Sequence, residues 1–287
     1  MREWVCLNGT LMPAEDARVS VFDSGFMQGV GLFETMRTYN GQVFRLERHL
    51  DRLVESARAL GWTVIPDSDV LEDNINQVLS SMPSPEARVR LTVTTGSLRA
   101  GAGAEPALTI VAMASPGERY PAELYTQGVT VALSNWRQSG CDPTVGHKTT
   151  SYFGRLAALR EAHAQGAFEA LWLTPEEYVA EGAISNVFVV QDGQLLTPPL
   201  DTPVLPGITR ATVIELAVEQ DVPVREKELT VEDVRQADEV FLTNSMMEVM
   251  PVVRVGRDPV GNEKPGELTR ELAVEYGKLL DRECGDE

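Results

Sequence analysis

The 287-residue chain carries 25 Lys and Arg against 43 Asp and Glu, a formal net charge of −18 with its three histidines neutral. That field repels phosphates and so argues against nucleic acid or an anionic membrane as the main partner. Three scattered cysteines, Cys6, Cys141 and Cys284, predict a reducing compartment, no disulfide framework and no structural metal. No apolar run approaches the ~20 residues that span a bilayer, and Met1–Trp4 leads directly into a strand-like run, so the expectation is a soluble, cytoplasmic protein without a signal peptide.

Within Trp4–Met12, Asn8-Gly9 sits between two apolar runs, the signature of a hairpin whose turn needs positive φ. Val19–Arg37 follows with Gly25, Gly29 and Gly31, a spacing that is not the dinucleotide fingerprint. From Phe44, the residues Leu46, Leu50, Leu53, Val54, Ala57 and Leu60 form one helical stripe that Gly61 ends. Arg48 and Arg52 share a face of that helix, open to solvation or to pairing with Glu47, Asp51 or Glu55. His49 reads as a packing or capping residue. Ala87–Thr95 and Ala107–Ala112 alternate as half-buried strands around a loop over 96–103. Residues 116–127, with Pro116, Gly117 and Pro121, read as a linker. It divides the chain into an N-terminal α+β domain over 1–115 and a larger C-terminal domain over 128–287.

Val129–Leu133 is a strand, and Gly146–Tyr152 is a polar run ahead of a helix carrying Leu156, Leu159 and Ala162. Glu181 ends a short run before small residues and the apolar strand Asn186–Val190. Leu205–Arg210 opens a helix to about Val218. Its glycine, bare N–H groups and threonine hydroxyl make an anion-accepting helix start, or an ordinary cap when taken alone. Glu239–Thr243 reads as a buried strand feeding Asn244–Val252, Val253–Val260 as a hairpin and Leu268–Leu280 as a helix.

The run from Lys148 to Asn186 resembles the class IV, or fold-type IV, aminotransferase family, and matches extend from the Asn8-Gly9 hairpin to Pro251. The resemblance implies a two-domain α/β (α+β) fold: a smaller N-terminal α+β domain and a larger, barrel-like mixed α/β domain that binds pyridoxal 5'-phosphate. It makes Lys148 the catalytic residue, carrying the cofactor as a Schiff base, and Glu181 the partner of the pyridine nitrogen. Arg52 matches the arginine of a His-x-x-Arg-Leu pattern that holds the phosphate; a planar guanidinium fork suits phosphate oxygens. Gly207, Ile208 and Thr209 match the phosphate turn, and Ser245 a further phosphate contact. Tyr152, matched across a one-residue gap, places its phenol on the cofactor's ring oxygen or packs as a plain tyrosine. On the substrate side the resemblance sets Gln28, Phe33, Thr35 and the N–H groups of Met246 and Met247. Arg99 is a clamp for a substrate carboxylate or an ordinary surface arginine. A homodimer is implied as well.

The chemistry requires these groups. Lysine forms a reversible imine with an aldehyde and shuttles protons once freed, and a carboxylate on the pyridine nitrogen keeps it protonated and electron-withdrawing. The implied reaction is ping-pong transfer of an amino group from an amino acid or amine donor to a 2-oxo acid acceptor. Val179–Gly182 and Met247–Pro251 are similar to branched-chain and D-amino-acid or (R)-amine transaminases, although Gln28 stands where branched-chain enzymes usually carry a tyrosine. Phe33-Glu34-Thr35 and Thr243-Asn244-Ser245 are similar to aminodeoxychorismate lyases, which release 4-aminobenzoate and pyruvate. The expectation is a transaminase, with the lyase as the alternative. A third reading, a non-catalytic binder of the cofactor, is opposed by the intact Lys148 and Glu181.

Overall fold

The computed structural model describes residues 3–99 and 107–285, and the chain divides into two units. The first holds the chain up to Glu118, the short segment His147–Ser151 and the end from Arg282; the second holds Arg119–Gly146 and Tyr152–Asp281.

In the first unit Asn8 and Gly9 take φ of 50° and 78°, and their turn folds β1 (Trp4–Leu7) onto β2 (Thr10–Pro13), as the Asn-Gly pair predicts. The short helix α1 (Ser24–Gln28) precedes β3 (Gly31–Tyr39) and β4 (Gln42–Val43). Helices α2 (Leu46–Ala59) and α3 (Ser68–Leu79) follow, then β5 (Ala87–Thr94) and β6 (Thr109–Pro116). The strands lie in the antiparallel order β2-β1-β6-β5-β3-β4. Leu50, Leu53, Val54 and Ala57 of the predicted stripe are buried with Leu32 and Met36 of β3. Each leucine, valine or methionine among them stabilises by ~1.5–3 kcal/mol when buried, so the layer fixes α2 against β3.

The second unit runs α4 (Ala122–Gln127), β7 (Val129–Arg137), α5 (Phe153–Ala164), β8 (Glu169–Leu173), β9 (Tyr178–Gly182), β10 (Asn186–Gln191) and β11 (Gln194–Thr197). It continues with α6 (Ile208–Glu219), β12 (Val224–Glu226), β13 (Leu229–Thr230), α7 (Val231–Arg235), β14 (Glu239–Asn244), β15 (Glu248–Val255), β16 (Asp258–Pro259) and α8 (Glu267–Cys284), the last ending in the first unit. The sheet order is β12-β11-β10-β14-β15-β7-β8-β9-β13, with β16 on β15. Strands β12 and β13 stand at opposite ends of that order, yet only Lys227 and Glu228 separate them in the chain. A residue reaches ~3.6 Å at most, so the sheet curls until its edges approach, which gives the barrel-like form. Val131, Leu171, Val187, Val189, Leu242, Met250 and Val252 fill its core.

Three expectations change. The 116–127 linker is structured: Pro116 ends β6, and α4 starts after Pro121, whose fixed φ suits a helix entry. His147–Ser151, expected inside the 128–287 domain, belongs to the first unit because its backbone pairs with β3. Helix α5 buries Ala157, Ala158 and Ala162, while Leu156 is exposed. Residues 100–103 of the expected 96–103 loop, and Met1 and Arg2, lie outside the described residues. Among the described residues no helix is long and apolar enough to cross a membrane.

Candidate active site

The pleat of β3 sends Phe33 and Thr35 to one face and Leu32, Glu34 and Met36 to the other. Lys148 is held to the start of this strand by its own backbone. Phe33 N–H donates to the Lys148 carbonyl at 2.8 Å, Thr150 N–H to the Gly31 carbonyl at 2.8 Å, and Thr150 Oγ1 to the Gly29 carbonyl at 2.8 Å. Gly31 permits this approach, since a Cβ there would stand 2.9 Å from Thr150 Oγ1 and 3.1 Å from the Val93 carbonyl. His147 Nδ1 lies 2.9 Å from Ser56 Oγ. Tied on both sides, Lys148 is half-buried with Nζ 4.6 Å from the centroid of the Phe33 ring. Arg90 pairs in register with Thr35, and its guanidinium carbon lies 3.4 Å from the same centroid.

On the opposite face Glu34 is fully buried, and α2 supplies its counter-charge. Arg52 Nε donates to Oε1 at 2.8 Å and Nη2 to Oε2 at 2.6 Å, while His49 Nδ1 lies 2.8 Å from Oε2. Burial alone would push the Glu34 carboxyl up, but Arg52 and His49 outweigh it and hold it at about 2. Burial pushes the His49 imidazole down, Glu34 partly opposes this, and the positive Arg52 and Lys148 push it down further. Neutral His49 therefore turns its Nδ1–H to the carboxylate.

In the second unit Glu181 ends β9 almost fully buried. Its Oε1 accepts from Gln138 Nε2 at 3.0 Å and Arg155 Nη2 at 2.5 Å; its Oε2 accepts from Leu205 N–H at 2.9 Å and lies 3.5 Å from Asn186 Nδ2. The turn after it rests on Glu169, whose carboxyl takes the N–H groups of Ala170, Ala183 and Ile184 and the Ser185 hydroxyl. Burial pushes the Glu169 carboxyl up against those donors. Asn186 Nδ2 also donates to the Leu205 carbonyl at 2.9 Å. This bond brings Glu181 and the entrance of α6 together. Gly207 is the N-cap of that helix and lacks a side-chain cap bond; a Cβ there would collide with Asn186 Oδ1. Ile208 and Thr209 form the buried first turn, where amides and helix dipole favour an anion.

The other expected residues fall as follows. Ser245 is half-buried in the turn joining β14 to β15. The N–H groups of Met246 and Met247, expected to face substrate, both donate to Asn244 Oδ1 at 2.8 Å, and the Met247 side chain is core. Tyr152 directs its phenol to the Ala183 carbonyl at 3.2 Å. Gln28 is exposed at the end of α1, and Arg99 is exposed with its guanidinium carbon 4.3 Å from the Phe22 ring centroid. Glu34, Arg90, Gln138, Arg155 and Glu169 have no role assigned from the sequence. Glu34 and Glu169 carry a usable signal, since each is a lone carboxylate in an apolar strand and must find donors.

Residues 31–255 match the model of the family described as amino-transferase class IV. The chain belongs to this class IV aminotransferase family. A branched-chain-amino-acid aminotransferase of Salmonella typhimurium is 32% identical over 293 residues, covering 99% of this chain and 95% of the relative. A D-alanine aminotransferase of Listeria monocytogenes is 30% identical over 289 residues, covering 98% of both. Among solved structures, the T.th. branched-chain amino acid aminotransferase with pyridoxamine 5'-phosphate superposes with a TM-score of 0.90 at 28% identity, over 98% of this chain and 94% of that one. The 4-amino-4-deoxychorismate lyase of Pseudomonas aeruginosa does so at 0.84 and 31% identity, over 98% and 100%. The two sheets are those of fold-type IV aminotransferases, and the family's cofactor is pyridoxal 5'-phosphate. Each unit of this class IV aminotransferase carries groups that fit parts of that cofactor: the first a half-buried primary amine, the second a buried carboxylate and an uncapped helix start with a threonine.

Proposed function

We propose that this aminotransferase carries pyridoxal 5'-phosphate on Lys148 and passes an amino group from an amino acid or amine to a 2-oxo acid. The observation that carries the reading is the backbone tether of the Lys148–Thr150 segment to Gly31 and Phe33, which holds one amine at a fixed place in its unit. When bound, the cofactor supplies an electron-withdrawing ring that stabilises negative charge at the substrate's α-carbon. The Lys148 amine would take and return the proton at that carbon. Glu181, fixed by its donors, keeps a proton on the ring nitrogen. Arg52, the Gly207–Thr209 turn and Ser245 take the phosphate. Arg90 of β5, paired in register with Thr35 and lying over the Phe33 ring, attracts the carboxylate of the amino or oxo acid.

Branched-chain and D-amino acids are the donor classes that the similar enzymes suggest. The lyase is the second reading, favoured by Thr35 and by the likeness to the Pseudomonas enzyme. The exposed apolar residues Val19, Val21, Phe26, Met27 and Val30 support a homodimer, and the acidic balance with scattered cysteines supports a cytoplasmic setting. Borohydride reduction of the loaded protein, followed by peptide mapping, tests the core of the reading. The phosphopyridoxyl group is expected on Lys148, and its recovery on another lysine would refute the assignment.

A further inference from the structure

The Glu181 carboxylate does not stand alone. Arg155, in the first turn of α5, lies on the same oxygen that Gln138 serves, 2.5 Å away, and the pair is largely withdrawn from solvent, with side-chain exposures of 21% and 2%. Arg155 is itself fixed. Its Nη1 donates to the carbonyls of Gly182 at 3.3 Å and Ala183 at 3.2 Å, and its Nη2 to Gln138 Oε1 at 3.3 Å. Its guanidinium carbon lies 5.9 Å from the ring centroids of both Tyr152 and Trp172. Burial opposes the charge, but Glu181, then Tyr152 and Glu169, hold the guanidinium protonated and push its proton affinity up.

We propose that Arg155 is a positioning residue that sets how tightly the cofactor's ring nitrogen holds its proton, by sharing the charge of Glu181. The inference rests on the reading that Glu181 pairs with that nitrogen. A carboxylate facing a pyridinium with no other cation gives its full charge to the ring proton. One that already accepts a charge-assisted bond from arginine is less basic. The guanidinium also repels a protonated ring directly, so both effects loosen the ring proton. Loss of the arginine charge leaves the carboxylate in place, because Gln138, the Leu205 N–H and Asn186 still hold it. The other charged or titratable groups facing this pair, Glu169 from β8 and Tyr152 before α5, are untouched by such a change.

The test loads the protein with ring-15N-labelled pyridoxal 5'-phosphate and follows the nitrogen by NMR across pH. In Arg155→Gln and Arg155→Met the nitrogen should keep its proton to a pH higher by about one unit, a tenfold gain in proton affinity. Arg155→Lys, which retains the charge but not the fork, should titrate close to wild type. Glu181→Gln should lose the ring proton at lower pH than wild type. If Glu181→Gln moves the titration and both neutral Arg155 variants stay at or below wild type, the role of Arg155 is refuted and that of Glu181 stands. If Glu181→Gln moves nothing, the pairing itself is wrong and both readings fall. An arginine that merely braces the fold lowers the melting temperature of these variants without moving the nitrogen titration.

Discussion

Glu34 grips Arg52 with both carboxylate oxygens, at 2.8 and 2.6 Å, and the two side chains are only 1% and 10% exposed. On the proposal that Arg52 takes the phosphate, a guanidinium locked in one plane would lose little further freedom when the phosphate arrives, and Glu34 would prepare it for that contact. Removing one partner of such a buried pair costs about 3–5 kcal/mol, because the other is left uncompensated. Glu34→Gln should therefore destabilise the protein by roughly that amount in urea unfolding and weaken its affinity for pyridoxal 5'-phosphate. Unchanged stability and unchanged cofactor affinity in the variant would contradict this account of Arg52.

The same cluster dictates an acid response. His49 is held below its ordinary value of 6.5 in the fold, so the unfolded chain binds the proton first and stability falls as pH drops below about 6.5. Glu34 is depressed from 4.5 to about 2, so its contribution is complete above the ordinary carboxylate range and is lost as pH falls through about 2. His49→Gln should flatten the stability profile between about pH 5 and 7, leaving the steeper loss at lower pH. A variant whose profile still tracks wild type in that window would assign the slope to other groups.

Lys148→Ala should leave a folded protein with no measurable transamination. The backbone bonds that tether the segment do not involve the side chain, so circular dichroism and the melting temperature should stay close to wild type. Turnover near the wild-type rate would place the reacting amine elsewhere.

Phe26 is 75% exposed, Met27 52% and Val21 62%, three large apolar side chains open to solvent within seven residues. Sedimentation should show a dimer of the 31.5 kDa chain, and Phe26→Asp with Met27→Asp should shift it toward monomer with loss of activity. A fully active wild-type monomer would refute this interface.

The residues proposed to react are marked in the sequence where chemistry demands one residue type beside a local marker. Lys148 stands two residues after Gly146 in a polar run, Glu181 precedes small residues and an apolar strand, and Gly207 to Thr209 read as a helix start. The supporting residues are not, because their partners are distant in the chain. Glu34 meets Arg52 across 18 positions, Arg155 meets Glu181 across 26, and Gln138 meets Glu181 across 43. Nothing local marks those pairings. Glu34 is the partial exception: it alternates with Leu32 and Met36 on the apolar face of β3, where an unpaired carboxylate is too costly to persist. The displacement of His147–Ser151 into the first unit has the same origin, since backbone pairing with Gly31 and Phe33 leaves no trace in composition or periodicity.

The central claim, amino-group transfer through a cofactor held on Lys148, is tested most directly by separating the two halves of the reaction. The loaded protein is mixed with an amino donor alone, L-leucine, D-alanine or (R)-1-phenylethylamine in turn, while the cofactor's visible absorbance is followed. At least one donor should bleach that band to the pyridoxamine 5'-phosphate form, and 2-oxoglutarate or pyruvate added afterwards should restore it. If no donor bleaches the band, while aminodeoxychorismate is converted to 4-aminobenzoate and pyruvate with no acceptor present, the protein is a lyase and the transaminase account is wrong.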